Sequence, residues 1–243
     1  MMEEYLKIQN DLKNKIICKD KFDVTAIKTI GGVDLAYWKK DNKEYAVCCI
    51  VVIEINTHKV LEKQHFSGEI TVPYMPGFLS FREFPLIYET AKLLKNIPDI
   101  YIFDGNGYLH PRHMGIATYS SFYLNKPTIG IAKTYYRINN TSYTEPNISK
   151  GSYTDIVIDN EIYGRVLRTQ NAVKPIFLSV GNYISLNSVT TLSLSLTDKE
   201  SHIPVPTRLA DIETRVQRKI ITSSYSKRQN KLPYVIPSEA GNL

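Results

Sequence analysis

Tyr45-Ala-Val-Cys-Cys-Ile-Val-Val-Ile-Glu-Ile55 decides the fold class, because it is rich in β-branched residues and too apolar for a surface strand. Strand-like runs at 26–37 and 60–69 flank it on either side. The links at 39–43 and 56–58 are short and polar, as hairpins require. The three runs therefore predict an antiparallel three-stranded meander.

Strand-like and helix-like segments alternate after the meander. Short strands are predicted at 99–104, 127–132, 162–168 and 175–180, and helices from the Pro/Gly loop 71–77 to about 96, at 112–124, at 187–196 and from Thr207, with irregular chain at 137–153. This order predicts an α/β fold with a mixed central sheet, the meander plus parallel strands, flanked by helices. It is the order of the RNase H-like fold, although other α/β folds share such a pattern.

Length and composition fit one intracellular domain. The chain has 243 residues, of which 43% are hydrophobic and 22% charged. We expect one domain over residues 1–222, beginning with an amphipathic helix, and a basic, poorly ordered tail over 223–243. Neither a signal-peptide core nor a membrane-spanning apolar run is present, and Cys48 and Cys49 are expected on opposite faces of a strand, so we expect a cytoplasmic protein. The net charge of +6 favours a polyanionic partner only weakly.

Two acidic residues lie within or at the end of apolar strand-like runs. Asp34 stands inside Gly31–Tyr37, where a buried charge is costly unless it is paired or binds a cation. A buried ion pair or an outward-facing edge position is the alternative for Asp34. Asp104 ends a predicted strand, and C-terminal strand ends line the functional crevice of open α/β sheets. The following Asp-Gly dipeptide is equally typical of a plain turn.

Glu83 has two competing placements. Ser80-Phe-Arg-Glu83 matches a capping box, in which Glu83 reaches back to the amide of Ser80. Pro85, however, fits the first turn of a helix better than its interior. With Pro85 as the first helical residue, Glu83 precedes the helix and is free to face the sheet. We expect this second arrangement.

Asp211 lies one turn into the last helix, for which Thr207 is the predicted N-cap. An i,i+4 surface ion pair with Arg215 accounts for Asp211 taken alone. Together with the three other acids, however, it suggests a metal site, because clustered carboxylates are stable only when cations neutralise them. Carboxylate ligands suit Mg²⁺ or Mn²⁺, and two such ions roughly 3.5–4 Å apart can activate water for in-line displacement at phosphorus.

Five segments of the chain resemble motifs of the endonuclease V family, in the same order. They are Thr71-Val-Pro-Tyr-Met-Pro-Gly-Phe-Leu-Ser-Phe-Arg-Glu83, Asp104-Gly-Asn-Gly-Tyr-Leu-His-Pro-Arg112, Pro127-Thr-Ile-Gly-Ile-Ala-Lys133, Lys174-Pro-Ile-Phe177 and Pro206-Thr-Arg-Leu-Ala-Asp211. The resemblance covers roughly residues 25–215, and the first two motifs are long enough to be highly specific.

The resemblance implies an RNase H-like fold and Mg²⁺-dependent hydrolysis, with Mn²⁺ as a substitute. The bond cleaved would be the second phosphodiester 3′ to deoxyinosine or inosine, leaving 3′-hydroxyl and 5′-phosphate ends. Matched by position, Asp34, Glu83 and Asp104 would be the metal-binding residues. Asp211 would occupy the fourth acidic position, and His110 and Lys133 would lie near the scissile phosphate. Without the motifs, Lys133 would be interpreted as an ordinary exposed lysine and His110 as a histidine in a turn.

The loop Pro73-Tyr-Met-Pro76 resembles the family's wedge, which fills the space left by a displaced base. Prolines stiffen this loop, Tyr74 offers a flat π face and Met75 adds bulk, although Tyr74 could instead pack on the core. Base–aromatic stacking contributes about 1–3 kcal/mol. The resemblance assigns the extruded hypoxanthine to Gly77, Leu79, Gly105 and Ile116, where glycines let a base edge approach the backbone.

The sequence departs from the family pattern at Tyr119, Ser121 and Asn182, which puts groove contacts and the preference for DNA or RNA in doubt. We expect a monomer that acts on DNA, single-stranded RNA or both when they contain inosine, in DNA repair or inosine-RNA processing, away from membranes. Two alternatives stay open: a module that binds such strands without cutting, and a nuclease of the same fold for branched or flapped structures. Retention of all four acids favours the active endonuclease.

Overall fold

A computed structural model describes residues 1–229 as one eight-stranded sheet with five helices. The strands are β1 Thr29–Lys40, β2 Lys43–Glu54, β3 Val60–Glu69, β4 Ile100–Asp104, β5 Thr128–Ala132, β6 Tyr153–Ile158, β7 Glu161–Leu167 and β8 Ile176–Asn182. The helices are α1 Met2–Lys13, α2 Leu79–Lys92, α3 Ile116–Leu124, α4 Leu186–Ser195 and α5 Val205–Gln229, with a single 3₁₀ turn at Val24–Ala26.

The strand order is β3-β2-β1-β4-β5-β8-β7-β6. Strands β1 to β3 form the predicted antiparallel meander, and β1, β4 and β5 run parallel. The remaining strands, β8, β7 and β6, are antiparallel to their neighbours. The predicted RNase H-like α/β fold with a mixed sheet flanked by helices is confirmed. Strand β6 was not predicted from the sequence. It begins at Tyr153, the last residue of the segment predicted to be irregular.

Local chemistry explains the meander. Asp41 and Asn42 both adopt positive φ (50° and 59°) in the turn between β1 and β2, the conformation of the two-residue turns that match strand twist. Cys48 and Cys49 are fully buried on opposite faces of β2, as predicted, and both are free thiols. The central strand of the meander therefore has a packed layer on each side.

The core has two main layers, one on each face of the sheet. Ile30 of β1 and Ile102 of β4 pack with residues of α4 and α5. Val33 and Phe103, one step out of phase on the same strands, pack with α2 and α3 on the opposite face. Side chains alternate along a strand, so the even-numbered residues of β1 and β4 near these positions face α4 and α5, and the odd-numbered residues face α2 and α3.

Two helix starts differ from the detailed placements predicted around Pro85 and Thr207, although α2 does follow the 71–77 loop as its segment pattern predicts. Helix α2 begins at Leu79, so Pro85 lies inside it rather than at its first position, on the exposed side of the second turn. Glu83 is therefore a helical residue, and neither placement predicted for the start of this helix is right. Helix α5 begins at Val205, and Thr207 lies in its first turn, with its hydroxyl donating to the Pro204 carbonyl (3.1 Å) instead of capping the helix.

The last helix continues beyond the boundary placed at residue 222 and reaches Gln229. The rest of the predicted tail, residues 230–243, lies outside the described residues. Among the helices of residues 1–229, none combines the length and the apolar character needed to cross a bilayer.

Candidate active site

Asp34 and Asp104 lie side by side on neighbouring parallel strands. The register of β1 and β4 pairs Val33 with Phe103, and the two aspartates follow directly. Since neighbouring strands are about 4.8 Å apart and side chains alternate, both carboxylates project from the face covered by α5. The hydroxyl of Thr214, on α5, donates to Asp34 Oδ2 at 3.0 Å. Burial, with the charge of Asp104 beside it, raises the pKa of Asp34 to about 6.

Glu83 approaches from the opposite layer. It is buried on α2, and the hydroxyl of Tyr37 donates to its Oε1 at 2.5 Å. Burial raises the pKa of Glu83 to about 7; the bond from Tyr37 lowers it in part, and the charge of Asp34 adds to the rise. The neighbouring Arg82 does not neutralise Glu83 by an ion pair, because its guanidinium binds Glu44 (2.7 Å) and the Val72 carbonyl (2.7 Å).

Lys133 joins the cluster from the end of β5. Its Nζ lies 2.5 Å from Asp104 Oδ2. The alignment follows from the register, because Asp104 pairs with Ile131 and Lys133 is two residues further on the same face. Partial burial lowers the pKa of Lys133, but the bond to Asp104 and the charges of Asp211 and Asp34 raise it overall, so the side chain is an ammonium ion.

Asp211 forms the predicted surface ion pair and also lies near the other acids. It forms the i,i+4 ion pair with Arg215 through two bonds of 3.0 and 2.7 Å. Its charge also contributes to the raised pKa of Asp34, which places it at the edge of the same cluster. The four predicted acids and Lys133 are therefore brought together by three strands and two helices.

Protein donors hold the three central carboxylates. Thr214 binds Asp34, Tyr37 binds Glu83 and Lys133 binds Asp104. Across residues 1–229, no three His, Cys, Asp or Glu side chains are arranged around one point as metal ligands. The acids are nevertheless close enough to raise one another's pKa.

His110 makes its hydrogen bonds to backbone groups and not to the carboxylates. Its buried ring accepts from the backbone amides of Arg112 (3.1 Å) and Met114 (3.3 Å) at Nδ1, which leaves Nε2 to donate to the Gly77 carbonyl (3.1 Å). Burial, together with the charge of Arg112, lowers the pKa of His110 to about 3, so the ring is neutral. In this structure, His110 ties the wedge loop to the segment that follows β4.

Three donors converge on the carbonyl oxygen of Gly77. Besides His110, they are Gln9 Nε2 (3.0 Å) and an Arg112 terminal nitrogen (2.8 Å), and Arg112 Nε donates to Gln9 Oε1 (2.5 Å). Gly77 has φ +79°, and a Cβ there would lie 2.7 Å from Arg112. The positive φ is what requires glycine at this position, since the Arg112 contact involves the movable end of a long side chain. The end of the wedge is thus fastened to α1 and to the 104–112 segment.

A small cavity lies beside the wedge. Its volume is about 130 Å³, and its lining includes Tyr74 of the predicted wedge and three of the four residues predicted to meet the extruded base, Gly77, Leu79 and Ile116. Gly105 lies directly behind it, where a Cβ would come 2.8 Å from Ile116 Cγ2. Tyr74 is 66% exposed and so is not packed on the core, while Pro73, Met75 and Pro76 form the loop but do not line the cavity. We call this cavity the base pocket.

The base pocket also contains polar groups that the motifs do not single out. Ser80 Oγ and Asn106 Oδ1 are buried in its lining and have no hydrogen-bond partner among the described residues. Gln9 could have been found from the sequence, since it interrupts the apolar face of α1 between Tyr5 and Leu12. Tyr37 and Thr214, which bind the acids, carry no such signal, because they depend on how distant elements pack.

The three departures from the family pattern lie in packing positions. Tyr119 packs against Phe81 and Phe84, with ring centroids 4.9 and 5.3 Å apart. Ser121 donates to the Lys126 carbonyl (2.7 Å), and Asn182 accepts from the Ile17 amide (2.8 Å). All three side chains are buried, so they serve the core rather than the pocket.

Comparison with known proteins identifies the family. The family described as Endonuclease V matches residues 10–212. The endonuclease V of Bacillus subtilis is 54% identical over 89% of this chain and 91% of its own length, and its crystal structure superposes with a TM-score of 0.89, covering 92% of this chain and 94% of that one. Endonuclease V of Ciona intestinalis, in complex with a DNA containing an inosine followed by a ribo-adenosine, is 28% identical with a TM-score of 0.81, covering 90% of this chain and 98% of that one. The chain therefore belongs to the endonuclease V family and is a nuclease, a hydrolase of phosphodiester bonds.

Proposed function

We propose that this nuclease is divalent-metal-dependent and recognises a deaminated purine, inosine or deoxyinosine, in nucleic acid. It hydrolyses the second phosphodiester bond 3′ to that nucleotide and leaves 3′-hydroxyl and 5′-phosphate ends. The observation that carries the proposal is the convergence of Asp34, Glu83 and Asp104 near a base-sized pocket with an exposed aromatic wedge. The inosine-containing DNA bound by the Ciona relative supports the same substrate class.

Asp34, Glu83 and Asp104 are the proposed ligands of Mg²⁺, for which Mn²⁺ would substitute. The chemistry of the cluster fits such an ion, since crowding and burial raise the pKa of both Asp34 and Glu83 and a divalent cation would relieve that repulsion. When bound, the ion would activate water and stabilise charge on the leaving oxygen. Asp211, beside Asp34, adds a fourth acidic group at the edge of the cluster.

Lys133 and His110 have different proposed roles. The ammonium of Lys133 reaches Asp104, so it is placed to bind the scissile phosphate beside the acids. His110 is neutral and bound to the wedge loop, which favours a role in positioning that loop over proton transfer at the cut. The segment from 104 to 112 would thereby couple the base pocket to the carboxylates.

Recognition of hypoxanthine would use the base pocket. At about 130 Å³ it is smaller than the roughly 300–1,000 Å³ of typical small-molecule sites, so it suits a base rather than a whole nucleotide. The buried Ser80 hydroxyl and Asn106 amide can each accept or donate, and hypoxanthine offers an O6 acceptor beside an N1–H donor. Adenine presents the reverse pattern at these two positions. Tyr74 would stack in the gap left by the displaced base.

A substrate panel tests the proposal. The purified chain is incubated with matched DNA and RNA strands that contain either inosine or adenosine, and with a flapped duplex, in Mg²⁺, Mn²⁺ or EDTA. We expect inosine-dependent nicking in both metals, at the second phosphodiester bond 3′ to the inosine. We expect no nicking in EDTA. Binding without product in any metal would favour the binding module, and preferred cleavage of the flap would favour the structure-specific nuclease.

A further inference from the structure

The segment 133–136 separates the base pocket from a second, larger cavity. Tyr136 lines the base pocket, whereas Lys133 and Tyr135 line a cavity of about 560 Å³ that the proposed function leaves without a role. This volume lies within the roughly 300–1,000 Å³ of small-molecule sites. We call it the aromatic groove and define it by Lys133, Tyr135, Tyr143, Arg168, Lys174 and Phe177.

Aromatic rings dominate the groove. Tyr143 stands 5.3 Å from Tyr135 and 5.0 Å from Phe177, measured between ring centroids, in two edge-to-face contacts. The Tyr135 hydroxyl is fixed by a 2.8 Å hydrogen bond with Thr141. Ile148, also in the lining, is 70% exposed. Phe177 is buried beneath them, and Tyr135 and Tyr143 are partly exposed, so the two tyrosines supply the ring surface that a ligand in the groove could reach.

Arg168 makes the walls of the groove rigid. Its buried guanidinium donates to Glu145 (2.8 Å) and to the carbonyls of Pro146 (3.0 Å) and Asn147 (3.1 Å) on one loop. It also donates to the Val173 carbonyl on a second loop. One side chain thus joins the two loops that flank the rings, so the groove exists before any ligand arrives.

The charges of the groove favour an anionic ligand. Arg168 and Glu145 neutralise each other and Lys133 is paired with Asp104, which leaves Lys174 as the lining cation without an ion pair among the described residues. An ammonium group beside aromatic rings matches a nucleotide, whose phosphate is anionic and whose base has a π face. The groove is also continuous with the carboxylates, because Lys133 both lines it and binds Asp104.

We propose that the aromatic groove is a subsite for the nucleotide directly 3′ of the cleaved bond. Its base stacks on Tyr135 or Tyr143, and its backbone phosphate meets Lys174. The bound strand would leave the base pocket beside Asn106 and pass Asp104, two residues away in the sequence. It would then pass Lys133, which binds Asp104, and enter the groove that Lys133 also lines. The proposal rests on the proposed function, since it needs the displaced base in the base pocket and the cut beside Asp104.

The first test changes only the substrate. An inosine-containing DNA strand receives an abasic residue either directly 3′ of the cut or, as the control, several nucleotides 5′ of the inosine. We expect the abasic residue 3′ of the cut to lower kcat/KM about tenfold through lost stacking, and the control to have little effect. Equal kcat/KM for both strands would overturn the proposal.

The second test changes the groove. Tyr143→Leu removes a ring from the groove, and Tyr88→Leu, at a half-exposed tyrosine on α2, is the matched control. In Tyr143→Leu the penalty for the abasic residue should largely disappear, whereas Tyr88→Leu should keep it. Lys174→Gln should reduce the slope of log affinity against log salt by about one, as for loss of a single phosphate contact. A full abasic penalty in folded Tyr143→Leu would contradict the proposal.

The outcomes separate the two proposals. Normal cleavage of inosine strands that is indifferent to the abasic residue overturns the groove subsite and leaves the proposed function standing. Failure to cleave inosine strands at all overturns the proposed function, and the groove subsite with it.

Discussion

Lys133 Nζ lies 2.5 Å from Asp104 Oδ2, so the lysine is the counter-ion of the carboxylate that we propose as a metal ligand. The two residues end neighbouring parallel strands, and the register of β4 and β5 brings them to the same face. An ammonium ion in this position competes with a cation for the Asp104 oxygens. The same ammonium is within reach of a phosphate that binds next to Asp104.

Replacing Lys133 should therefore separate metal binding from catalysis. In Lys133→Met, we expect Mn²⁺ to bind more tightly, because the competing ammonium is gone. Cleavage under saturating Mn²⁺ should fall about 100-fold, because a donor to the reacting phosphate is lost. Calorimetric titration with Mn²⁺ and single-turnover nicking measure the two effects. Weaker Mn²⁺ binding by Lys133→Met would mean that the lysine supports the metal site instead of competing with it.

Glu83→Gln should stabilise the metal-free protein at neutral and alkaline pH. Burial raises the pKa of Glu83 from 4.5 to about 7, so between these values the folded chain binds more protons than the unfolded chain. The free energy of unfolding must then decrease as the pH rises through this window. Glutamine keeps an acceptor for Tyr37 but carries no charge, so at pH 8 the variant should be more stable by up to roughly 3 kcal/mol.

Denaturant unfolding in EDTA at pH 4 and pH 8 measures this difference. The two proteins should have similar stability at pH 4, where Glu83 is protonated in both the folded and the unfolded chain. A difference that is the same at both pH values would show that the substitution acts through packing and not through the charge.

Gln9→Met should loosen the wedge. The substitution leaves Arg112 Nε without its acceptor and removes one of the three donors to the Gly77 carbonyl, at a cost of about 1–3 kcal/mol. Because the wedge loop then moves relative to the carboxylates, kcat/KM for an inosine strand should fall roughly tenfold or more. Leu12→Ala, on the same helix, is the control, because it weakens the packing of α1 without touching Gly77. Equal losses of kcat/KM in the two variants would reduce Gln9 to a packing role.

Tyr74→Ala should lower the cleavage of the substrate without changing the stability of the fold. The ring is 66% exposed, so the free energy of unfolding should change little. Loss of about 1–3 kcal/mol of stacking should lower kcat/KM for the inosine strand by roughly 5- to 150-fold. Tyr88→Ala provides a control at another half-exposed tyrosine. Unchanged kcat/KM in Tyr74→Ala would remove the wedge role from this residue.

Hydrophobic patterning was sufficient to predict seven of the eight strands in the described part of the chain, all except β6. The β-branched run of β2 and the polar links beside it indicate the meander, and the apolar runs that end at Asp104 and Ala132 indicate the parallel strands. Helix starts were less predictable. Pro85 favours a first-turn position locally, but packing of Phe81 and Phe84 on the sheet extends α2 back to Leu79.

The site residues that stand at recognisable positions of the predicted strands could be predicted. The residues that reach the site only through packing between distant elements could not. Asp34 and Asp104 can be brought together from the register of two strands. The donors that hold the acids, Tyr37 and Thr214, arise from contacts between residues far apart in the chain, and no local pattern encodes them. Gln9 is marked by its polar side chain on the apolar face of α1, but its bond to the Gly77 carbonyl depends on long-range packing.

Single-turnover cleavage of an inosine-containing strand by Asp104→Asn, over a range of Mg²⁺ concentrations, tests the central claim most directly. Asp99→Asn is the matched control at the opposite end of β4, where an amide oxygen can still accept from the Lys28 and Thr29 amides. We predict that Asp104→Asn loses roughly 100-fold or more in rate at every Mg²⁺ concentration, while Asp99→Asn cleaves like the unmodified chain. Cleavage by folded Asp104→Asn at the unmodified rate would contradict the assignment of the carboxylates as the metal-binding centre.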